Sequence, residues 1–391
     1  MRPGNRAERI VVVGASVAGV TTADALRRHG YTGTLTLIGA EPHAAYNRPA
    51  LSKGILTGTD TYEDIVLPPL STVADQRLGA RAVGLDVERR EVLLADGDRV
   101  AYDKLAITTG ARARRLAEFG VADPGVRETA FRDLDDARLL SQRLGSRPHV
   151  VIVGAGILGM ELASACVHRG ATVTVVDQQP PLRRRLGPYL AGLITEAATA
   201  QGVRFAHHPG GVHLRGSGTP VAELGDGRRF EGDLVLSAVG CAPNLDWLDG
   251  TGLLTRGELR IDDRCRAGEN IVAAGDVAAF PVGAGHRRTP WWNSALEQAR
   301  TAAIALLDGD AAPKLTPSPM FWTEQFGLSI RVCGPLPVAG EPAIVDGQSV
   351  SSGLLLRWPG ENGEATAAAV NKRIPITRLR ALTGPRQEVK Q

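Results

Sequence analysis

The sequence has 391 residues, of which 43% are hydrophobic and 22% charged, and its formal net charge is +3. At ~100–200 residues per domain this length allows two or three domains, and the composition is that of a folded chain, which excludes a disordered or fibrous one. The basic residues are spread along the chain, which argues against a nucleic-acid-binding stripe.

No run approaches the ~20 consecutive apolar residues that a transmembrane helix needs. Residues 1–8 carry charge and lack an apolar stretch, so we expect a cytoplasmic protein without a leader. The four cysteines, Cys166, Cys241, Cys265 and Cys333, are far apart and form no C-x-x-C pair. This spacing predicts neither a redox-active disulfide nor a metal site.

The first predicted elements are a strand, a glycine-containing turn and a helix. Residues 9–13 form an apolar run typical of a buried parallel strand, and a helix is predicted over residues 20–29. Such a turn holds a pyrophosphate against backbone N–H groups at the helix N-terminus. Ser16 stands at the middle glycine position and weakens the pattern taken alone. The turn residues predicted to bind a dinucleotide are Gly14, Ser16, Val17, Ala18 and Gly19.

An acidic residue follows the second predicted strand. This strand covers residues 34–38, and Glu41 comes shortly after it. A carboxylate at this strand end accepts hydrogen bonds from the ribose hydroxyls of an adenosine. The alternative interpretation is an exposed loop glutamate.

The pattern returns after a predicted strand at residues 150–153, now as a complete G-x-G-x-x-G followed by a helix over residues 160–169. Asp177 ends the next strand at the offset expected of a ribose-binding acid, which favours NADH because an acid repels a 2′-phosphate. Residues 183–185 are three arginines that could pair with a 2′-phosphate, so NADPH stays possible. The predicted nucleotide-binding residues of this half are Gly154, Gly156, Ile157, Leu158, Gly159 and Asp177.

Two such fingerprints in one chain predict two bound dinucleotides and electron transfer between them. The alternative is a domain duplicated for structural reasons.

Further motifs lie between and after the fingerprints. Residues 46–53 read Y-N-R-P-A-L-S-K, residues 102–111 read Y-D-K-L-A-I-T-T-G-A, and residues 270–278 read N-I-V-A-A-G-D-V-A. Together with the fingerprints they resemble the FAD-dependent ferredoxin reductases that serve bacterial oxygenases, whose motifs are Y-x-R-P-P-L-S-K, Y-D-x-L-x-x-A-T-G-A and I-x-A-x-G-D-V-A. Ala50 replaces a proline of the first motif without removing a functional group, and Thr108 replaces the usual alanine of the second.

The resemblance implies an FAD site. It places Lys53 near the flavin ring system, and Trp322 either over the flavin or on the electron exit path, although a core tryptophan is the alternative. Besides the first turn and Glu41, which its place after a strand assigns to the ribose, the residues that the resemblance implies for FAD are Arg48, Lys53, Val83, Thr109, Gly110, Arg132, Gly275, Asp276, Trp292 and Trp322.

The resemblance also assigns residues in the second half of the chain. Glu161 matches the family's G-x-E motif, and we expect it to face the nicotinamide and to pair with Lys53; these two are the implied catalytic residues. Arg184 is implied at the adenosine end of the nicotinamide nucleotide. Gly240 belongs to the segment that returns from the nicotinamide domain to the FAD domain.

One departure from the family lies near the predicted cleft. Residues 288–298 resemble R-x-E-x-W-x-x-A-x-x-Q, but Pro290 stands where a glutamate is usual. The loss of this carboxylate leaves the rate of hydride transfer and the nucleotide preference open.

The expected fold is α/β, with two Rossmann-like dinucleotide-binding domains of the glutathione-reductase type and a small α+β C-terminal domain. We expect an FAD domain from residues 1–112 and 241–316, an NAD domain from residues 113–240, and a C-terminal reductase domain from residues 317–391. The last domain is expected to have antiparallel strands near residues 328–333, 353–357 and 365–370, and a helix near residues 376–382.

The predicted function is that of an FAD-dependent ferredoxin reductase. It takes hydride from NADH, with NADPH possible, and passes single electrons to an iron–sulfur ferredoxin that serves an oxygenase. The alternatives are a rubredoxin reductase, a flavin oxidoreductase acting directly on oxygen, a quinone or a biosynthetic small molecule, and a non-enzymatic flavoprotein that signals redox state. No metal, nucleic-acid or membrane partner is expected.

Overall fold

The computed structural model describes residues 8–70, 75–218, 220–360 and 364–384. The expectation that the chain has no leader concerns residues 1–8, and residues 1–7 lie outside the described range. The chain divides into two compact units. Unit one comprises Met1–Asn47, Ile65–Arg112 and Ala242–Pro317, and unit two comprises Arg48–Asp64, Ala113–Cys241 and Ser318–Gln391.

Unit one is built on a six-stranded sheet whose apolar strands are buried. Its neighbouring strands run parallel except for the antiparallel edge strand Arg266–Gly268. The helices Val17–Arg28 and Trp292–Asp308 pack on each other and cover the strands. In spatial order the strands are Arg266–Gly268, Ile271–Ala273, Lys104–Ile107, Arg9–Val13, Thr34–Gly39 and Asp75–Leu78.

Two smaller sheets and two short 3₁₀ helices complete unit one. One sheet has three antiparallel strands, Ala82–Asp86, Glu91–Leu94 and Arg99–Ala101. The other has four strands, Leu254–Thr255, Glu258–Arg260, Ala278–Val282 and Gly285–Arg288. The 3₁₀ helices are Asp246–Leu248 and Gly309–Ala311.

Unit two contains a second parallel sheet, with five strands. The run of valines and isoleucine in His149–Val153 is fully buried at the centre of this sheet, as expected where helices cover both faces. In spatial order the strands are Arg204–His207, Thr172–Asp177, His149–Val153, Leu234–Ser237 and Thr129–Ala130. The helices of this part are Leu134–Leu144, Ile157–His168, Arg183–Leu186 and Pro188–Ala200.

Unit two also contains an antiparallel hairpin sheet and several short elements. The strands of this sheet are Val212–Arg215, Val221–Leu224 and Arg229–Phe230. The 3₁₀ helices are Arg48–Ala50 and Leu116–Phe119, and a π-helical turn covers Leu51–Ile55. The helix Tyr62–Ile65 and the strands Ala111–Ala113 and Cys241–Pro243 lie where the chain passes from one unit to the other.

The C-terminal segment of unit two forms a five-stranded antiparallel sheet with one helix, Ile376–Ala381. In spatial order the strands are Met320–Gln325, Leu328–Cys333, Thr366–Val370, Leu354–Trp358 and Ala343–Asp346. The predicted fold class is confirmed: two Rossmann-like parallel sheets and a small α+β part are present. The first and last strands of this antiparallel sheet add to the three that the sequence predicts. Among the described residues no helix is both long enough and apolar enough to cross a bilayer.

Candidate active site and nucleotide-binding turns

The first glycine turn, residues 14–19, follows the buried strand Arg9–Val13 directly. Gly14 has a φ of +114°, and a Cβ on it would collide with the backbone carbonyl of Thr108. A Cβ on Gly19 would collide with the carbonyl oxygen of Gly14. These two glycines are therefore required by the close approach of backbone to backbone. Helix Val17–Arg28 begins three residues earlier than the sequence predicts, because Ser16 is already its N-cap residue.

Three parallel strands of unit one end beside this turn. The Thr108 N–H donates to the Val13 carbonyl at 2.7 Å, and the Ala274 N–H donates to the Ile107 carbonyl at 3.1 Å. The predicted FAD residues that follow these strands, Thr109, Gly110, Gly275 and Asp276, therefore share one sheet edge with residues 14–19. Connections leave this edge toward both sides of the Arg9–Val13 strand, as at the switch points where dinucleotides bind.

Buried hydrogen bonds hold the loops at this edge. The Gly275 N–H donates to Oε1 of Gln298, a buried side chain, at 2.8 Å. Thr109 and Asn244 exchange two bonds: Thr109 Oγ1 donates to the Asn244 carbonyl at 3.0 Å, and Asn244 Nδ2 donates to the Thr109 carbonyl at 2.8 Å. The buried Thr108 hydroxyl lies 3.0 Å from the Val13 carbonyl and 2.9 Å from that of Gly14. The family alanine would lack this hydroxyl.

The other residues of unit one predicted to bind FAD occupy separate elements. Glu41 follows strand Thr34–Gly39, and its Oε2 accepts a hydrogen bond from the Tyr46 hydroxyl at 2.6 Å. Val83 lies on strand Ala82–Asp86 with 51% of its surface exposed. Trp292 is half-buried at the start of helix Trp292–Asp308, and Pro290 is exposed just before it.

The second glycine turn, residues 154–159, repeats the first in unit two. Gly154 has a φ of +109°, and a Cβ on it would meet the carbonyl oxygen of Ala238 at 2.5 Å. A Cβ on Gly159 would collide with the Gly154 carbonyl oxygen. Gly156 differs, because a Cβ there would meet no described atom within 4 Å. The protein's own packing therefore does not require a glycine at this position, and the open space at the N-terminus of helix Ile157–His168 suits a ligand phosphate.

Asp177 lies against this second turn. Its carboxylate accepts hydrogen bonds from the backbone N–H groups of Ala155, Gln178 and Gln179. Arg184 is exposed on the short helix Arg183–Leu186, one of three exposed arginines in a row. Gly240 has a φ of +105°, and its carbonyl accepts from the Arg114 N–H at 2.9 Å.

The ion pair expected between Lys53 and Glu161 is present in unit two. Lys53 Nζ lies 2.8 Å from Glu161 Oε2, and the two side chains are only 14% and 6% exposed. Lys53 Nζ also donates to the Pro49 carbonyl at 3.1 Å. Glu161 is the fifth residue of helix Ile157–His168, so the ion pair lies near the helix end that follows the second glycine turn of the same unit.

Sequence reasoning missed three buried polar side chains at this site: two donate to Glu161, and the third donates to one of those two. Ser52 Oγ donates to Glu161 Oε2 at 2.6 Å, and Thr323 Oγ1 donates to Glu161 Oε1 at 2.7 Å. Gln325 Nε2 in turn donates to Thr323 Oγ1 at 2.9 Å. Ser52 could have been found from its place beside Lys53 in the Y-x-R-P-P-L-S-K motif. Thr323 and Gln325 stand in the motif around Trp322, but the spacing carries no sign that they reach Glu161.

Two other predicted residues meet in unit two. Arg48 Nη1 donates to the backbone carbonyl of Arg132 at 3.0 Å. Trp322 is half-buried on strand Met320–Gln325, next to the fully buried Thr323.

None of the four cysteines forms a disulfide. Cys166, Cys265 and Cys333 are buried, and Cys241 is half-buried. Burial raises the pKa of the Cys166 thiol to about 12 and raises the pKa of Cys265 and Cys333 as well. These three thiols therefore pack as small apolar groups and are poor nucleophiles.

The geometry described above agrees with what comparison with known proteins finds. Residues 8–303 match the pyridine nucleotide-disulphide oxidoreductase family. The chain belongs to this family. It is an oxidoreductase of that group, and none of its four cysteines forms a disulphide.

Individual relatives show which members of the family this chain is similar to. Rhodocoxin reductase from Rhodococcus erythropolis is 34% identical over 364 residues, which is 88% of this chain and 82% of the relative. The ferredoxin–NAD(+) reductase component of the biphenyl dioxygenase system from Paraburkholderia xenovorans is 33% identical and covers 98% and 94% of the two chains. These matches confirm the resemblance that the sequence motifs indicate.

A solved structure supports the same likeness. The crystal structure of a ferredoxin reductase from Rhodopseudomonas palustris superposes with a TM-score of 0.81 at 28% identity, over 93% of this chain and 91% of that one.

Proposed function

We propose that this protein is an FAD-dependent ferredoxin reductase that oxidises NADH and passes single electrons to an iron–sulfur ferredoxin serving an oxygenase. One observation carries the proposal: the chain has two glycine turns, each at the edge of its own parallel sheet, and none of its four cysteines forms a disulfide. Electrons from the nicotinamide therefore cannot rest on an internal disulfide, and the acceptor must be another molecule. The names of the relatives support a ferredoxin as that acceptor.

We assign FAD to the first turn and to the loops at its sheet edge. Backbone N–H groups of helix Val17–Arg28 have no intrahelical partner in its first turn and suit a pyrophosphate. Bound FAD would supply the conversion of one hydride into two single electrons and a proton. The residues proposed to hold it are Gly14, Ser16, Val17, Ala18, Gly19, Glu41, Arg48, Lys53, Val83, Thr109, Gly110, Arg132, Gly275, Asp276, Trp292 and Trp322.

We assign NADH to the second turn. The open space at Gly156 supports a pyrophosphate there, and the carboxylate of Asp177 beside the turn supports binding of an unphosphorylated ribose. The exposed Arg184 is proposed to contact the adenosine end, and it keeps NADPH a possible substrate. The other proposed contacts are Gly154, Ile157, Leu158, Gly159 and Gly240.

Lys53 and Glu161 are proposed to carry the reaction as a pair. The ammonium of Lys53 supplies a positive charge that stabilises an electron-rich flavin, and Glu161 holds that ammonium by its carboxylate. The 6% exposure of the Glu161 side chain supports the role, because few water molecules can screen the pair.

The proposal keeps an FAD domain of residues 1–112 and 241–316, an NAD domain of residues 113–240 and a C-terminal domain of residues 317–391. The described residues of segments 48–64 and 318–384 lie in the same compact unit as those of segment 113–241, which supports their taking part in nicotinamide chemistry. We also propose a cytoplasmic location, where NADH is regenerated.

The test is reduction of cytochrome c by the purified flavoprotein, driven by NADH or by NADPH, with and without a [2Fe–2S] ferredoxin. We expect NADH to be preferred and ferredoxin to raise the rate by about tenfold or more, because a flavin that has no disulfide to reduce passes its electrons to a carrier. Rubredoxin, a quinone and oxygen serve as parallel acceptors. The proposal fails if ferredoxin gives no acceleration, and a larger effect of rubredoxin or of a quinone would select one of those acceptors in its place.

Glu161→Gln provides the matched variant for the catalytic assignment. It removes the negative charge but keeps the size and two polar atoms of the side chain. We expect slower reduction of bound flavin by NADH with unchanged flavin content. An unchanged rate of flavin reduction would show that Glu161 has no part in this step. It would leave the proposed electron acceptor unaffected.

A further inference from the structure

A strand of the C-terminal sheet reaches the proposed catalytic carboxylate. Thr323 lies on strand Met320–Gln325, and its Oγ1 donates to Glu161 Oε1 at 2.7 Å. The other carboxylate oxygen, Oε2, accepts from Ser52 and Lys53. Glu161 therefore has a donor group from the C-terminal sheet on one oxygen and two from the residue 51–55 turn on the other.

The direction of each bond in this chain is set by chemistry. A carboxylate only accepts, so the Thr323 hydroxyl must give its single proton to Glu161. Its lone pairs are then left to accept, and the Gln325 amide nitrogen donates to them at 2.9 Å. Gln325 thereby selects the rotamer of the hydroxyl in which the proton points at Glu161.

Burial makes these bonds hard to replace. As whole residues, Thr323 is 0% exposed to solvent, Gln325 is 3% exposed and Glu161 is 5% exposed. Water that could substitute for a missing hydroxyl has little access to them, and an unsatisfied carboxylate oxygen at such depth is costly.

A second bond joins the same strand to the same helix. The N–H of Phe326, the residue directly after strand Met320–Gln325, donates to Ser164 Oγ at 2.7 Å. Ser164 lies three residues after Glu161 and hence on the same face of helix Ile157–His168. The strand is thus tied to the helix at two points, and Thr323 has a defined position over Glu161.

We propose that Thr323, oriented by Gln325, is a positioning residue that holds the Glu161 carboxylate on Lys53 during flavin reduction. This inference rests on the proposed function. It assigns to the C-terminal sheet a part in the hydride-transfer step, separate from any part in binding the acceptor protein.

The test uses the holoenzyme and follows flavin reduction by NADH in a stopped-flow instrument, which separates the limiting rate from the NADH dissociation constant. Thr323→Val keeps the volume and loses the hydroxyl. We expect a limiting rate about tenfold lower, the scale of one hydrogen bond to a charged group, with the dissociation constant within about twofold. Thr323→Ser keeps the donor and should restore the rate.

Thr366→Val is the matched control. Thr366 is a buried threonine of the same sheet whose hydroxyl donates to the Pro335 carbonyl at 2.6 Å, away from Glu161. It should lower stability as Thr323→Val does but leave the limiting rate unchanged.

A double-mutant cycle completes the test. In a Glu161→Gln background Thr323→Val should cause no further loss of rate, since Thr323 acts only through that carboxylate. Additive losses, or a Thr323→Val enzyme as fast as the wild type, would overturn the inference. A Glu161→Gln enzyme with the wild-type rate would instead refute the catalytic assignment on which the inference rests.

Discussion

Lys53 and Glu161, 108 residues apart in the sequence, form a buried ion pair of 2.8 Å that joins the π-helical turn to the helix after the second glycine turn. Removal of Lys53 leaves the buried Glu161 carboxylate without an opposite charge, and only the hydroxyls of Ser52 and Thr323 still donate to it. We expect Lys53→Met to lower the free energy of unfolding by about 1–3 kcal/mol, measured by urea denaturation of the flavin-free protein.

The double variant Lys53→Met with Glu161→Gln separates the charge effect from packing. With the carboxylate replaced by an amide, no uncompensated charge is left, and most of the lost stability should return. Equal stability of the single and double variants would mean that the ion pair contributes nothing beyond the packing of the lysine stem.

Two glycines of the second turn, Gly156 and Gly159, are expected to respond differently to alanine. Gly156→Ala meets no described atom within 4 Å, so its cost to the free energy of unfolding should stay below about 1 kcal/mol. Its methyl group would occupy the space assigned to the pyrophosphate, so NADH affinity should fall by about tenfold or more, which corresponds to ~1.4 kcal/mol. Titration of NADH against the flavin absorbance measures this.

Gly159→Ala is the contrasting variant, since its Cβ would collide with the Gly154 carbonyl oxygen. It should destabilise the fold by several kcal/mol, roughly the scale of severe core overpacking. NADH binding by Gly156→Ala at wild-type affinity would contradict the assignment of this turn to the nicotinamide nucleotide.

The sequence predicts the two strand–turn–helix segments well, because the apolar runs and the glycine spacing are local patterns that each favour one backbone conformation. It also places Lys53 and Glu161 in known motifs. The bond between Thr323 and Glu161 spans 162 residues and depends on how the C-terminal sheet packs on a helix. The hydrophobic periodicity of the sequence does not indicate which strand packs on which helix. The bond between Thr323 and Glu161 could therefore be found only from the structure.

Gln298 is expected to be important for retention of FAD. Its buried Oε1 accepts from the Gly275 N–H at 2.8 Å and holds the loop that carries Asp276. Gln298→Leu would leave this N–H without its acceptor, at a cost of about 1–3 kcal/mol. We expect faster release of FAD, followed by the rise in flavin fluorescence on dilution. Gln298→Glu retains an acceptor oxygen and should lose FAD more slowly than Gln298→Leu; equal release rates for the two variants would argue against the role of this bond.

The buried thiol of Cys166 predicts how the free energy of unfolding changes at alkaline pH. Burial raises its pKa from 9.0 to about 12 in the folded protein, so between these values the unfolded chain has lost a proton that the folded chain keeps. The unfolded state then binds fewer protons, and the slope of unfolding free energy against pH is negative. The contribution of this thiol to stability is complete below pH 9 and decreases as pH rises toward 12.

Cys166→Ala removes this contribution, so the difference in unfolding free energy between wild type and variant should shrink from about pH 8 to about pH 10, measured by urea denaturation at each pH. The neutral thiol should also resist alkylation in the folded protein, whereas the half-buried Cys241 is expected to react first. If the difference between wild type and Cys166→Ala is the same at both pH values, the thiol ionises as readily in the folded as in the unfolded chain, and its burial has no electrostatic consequence.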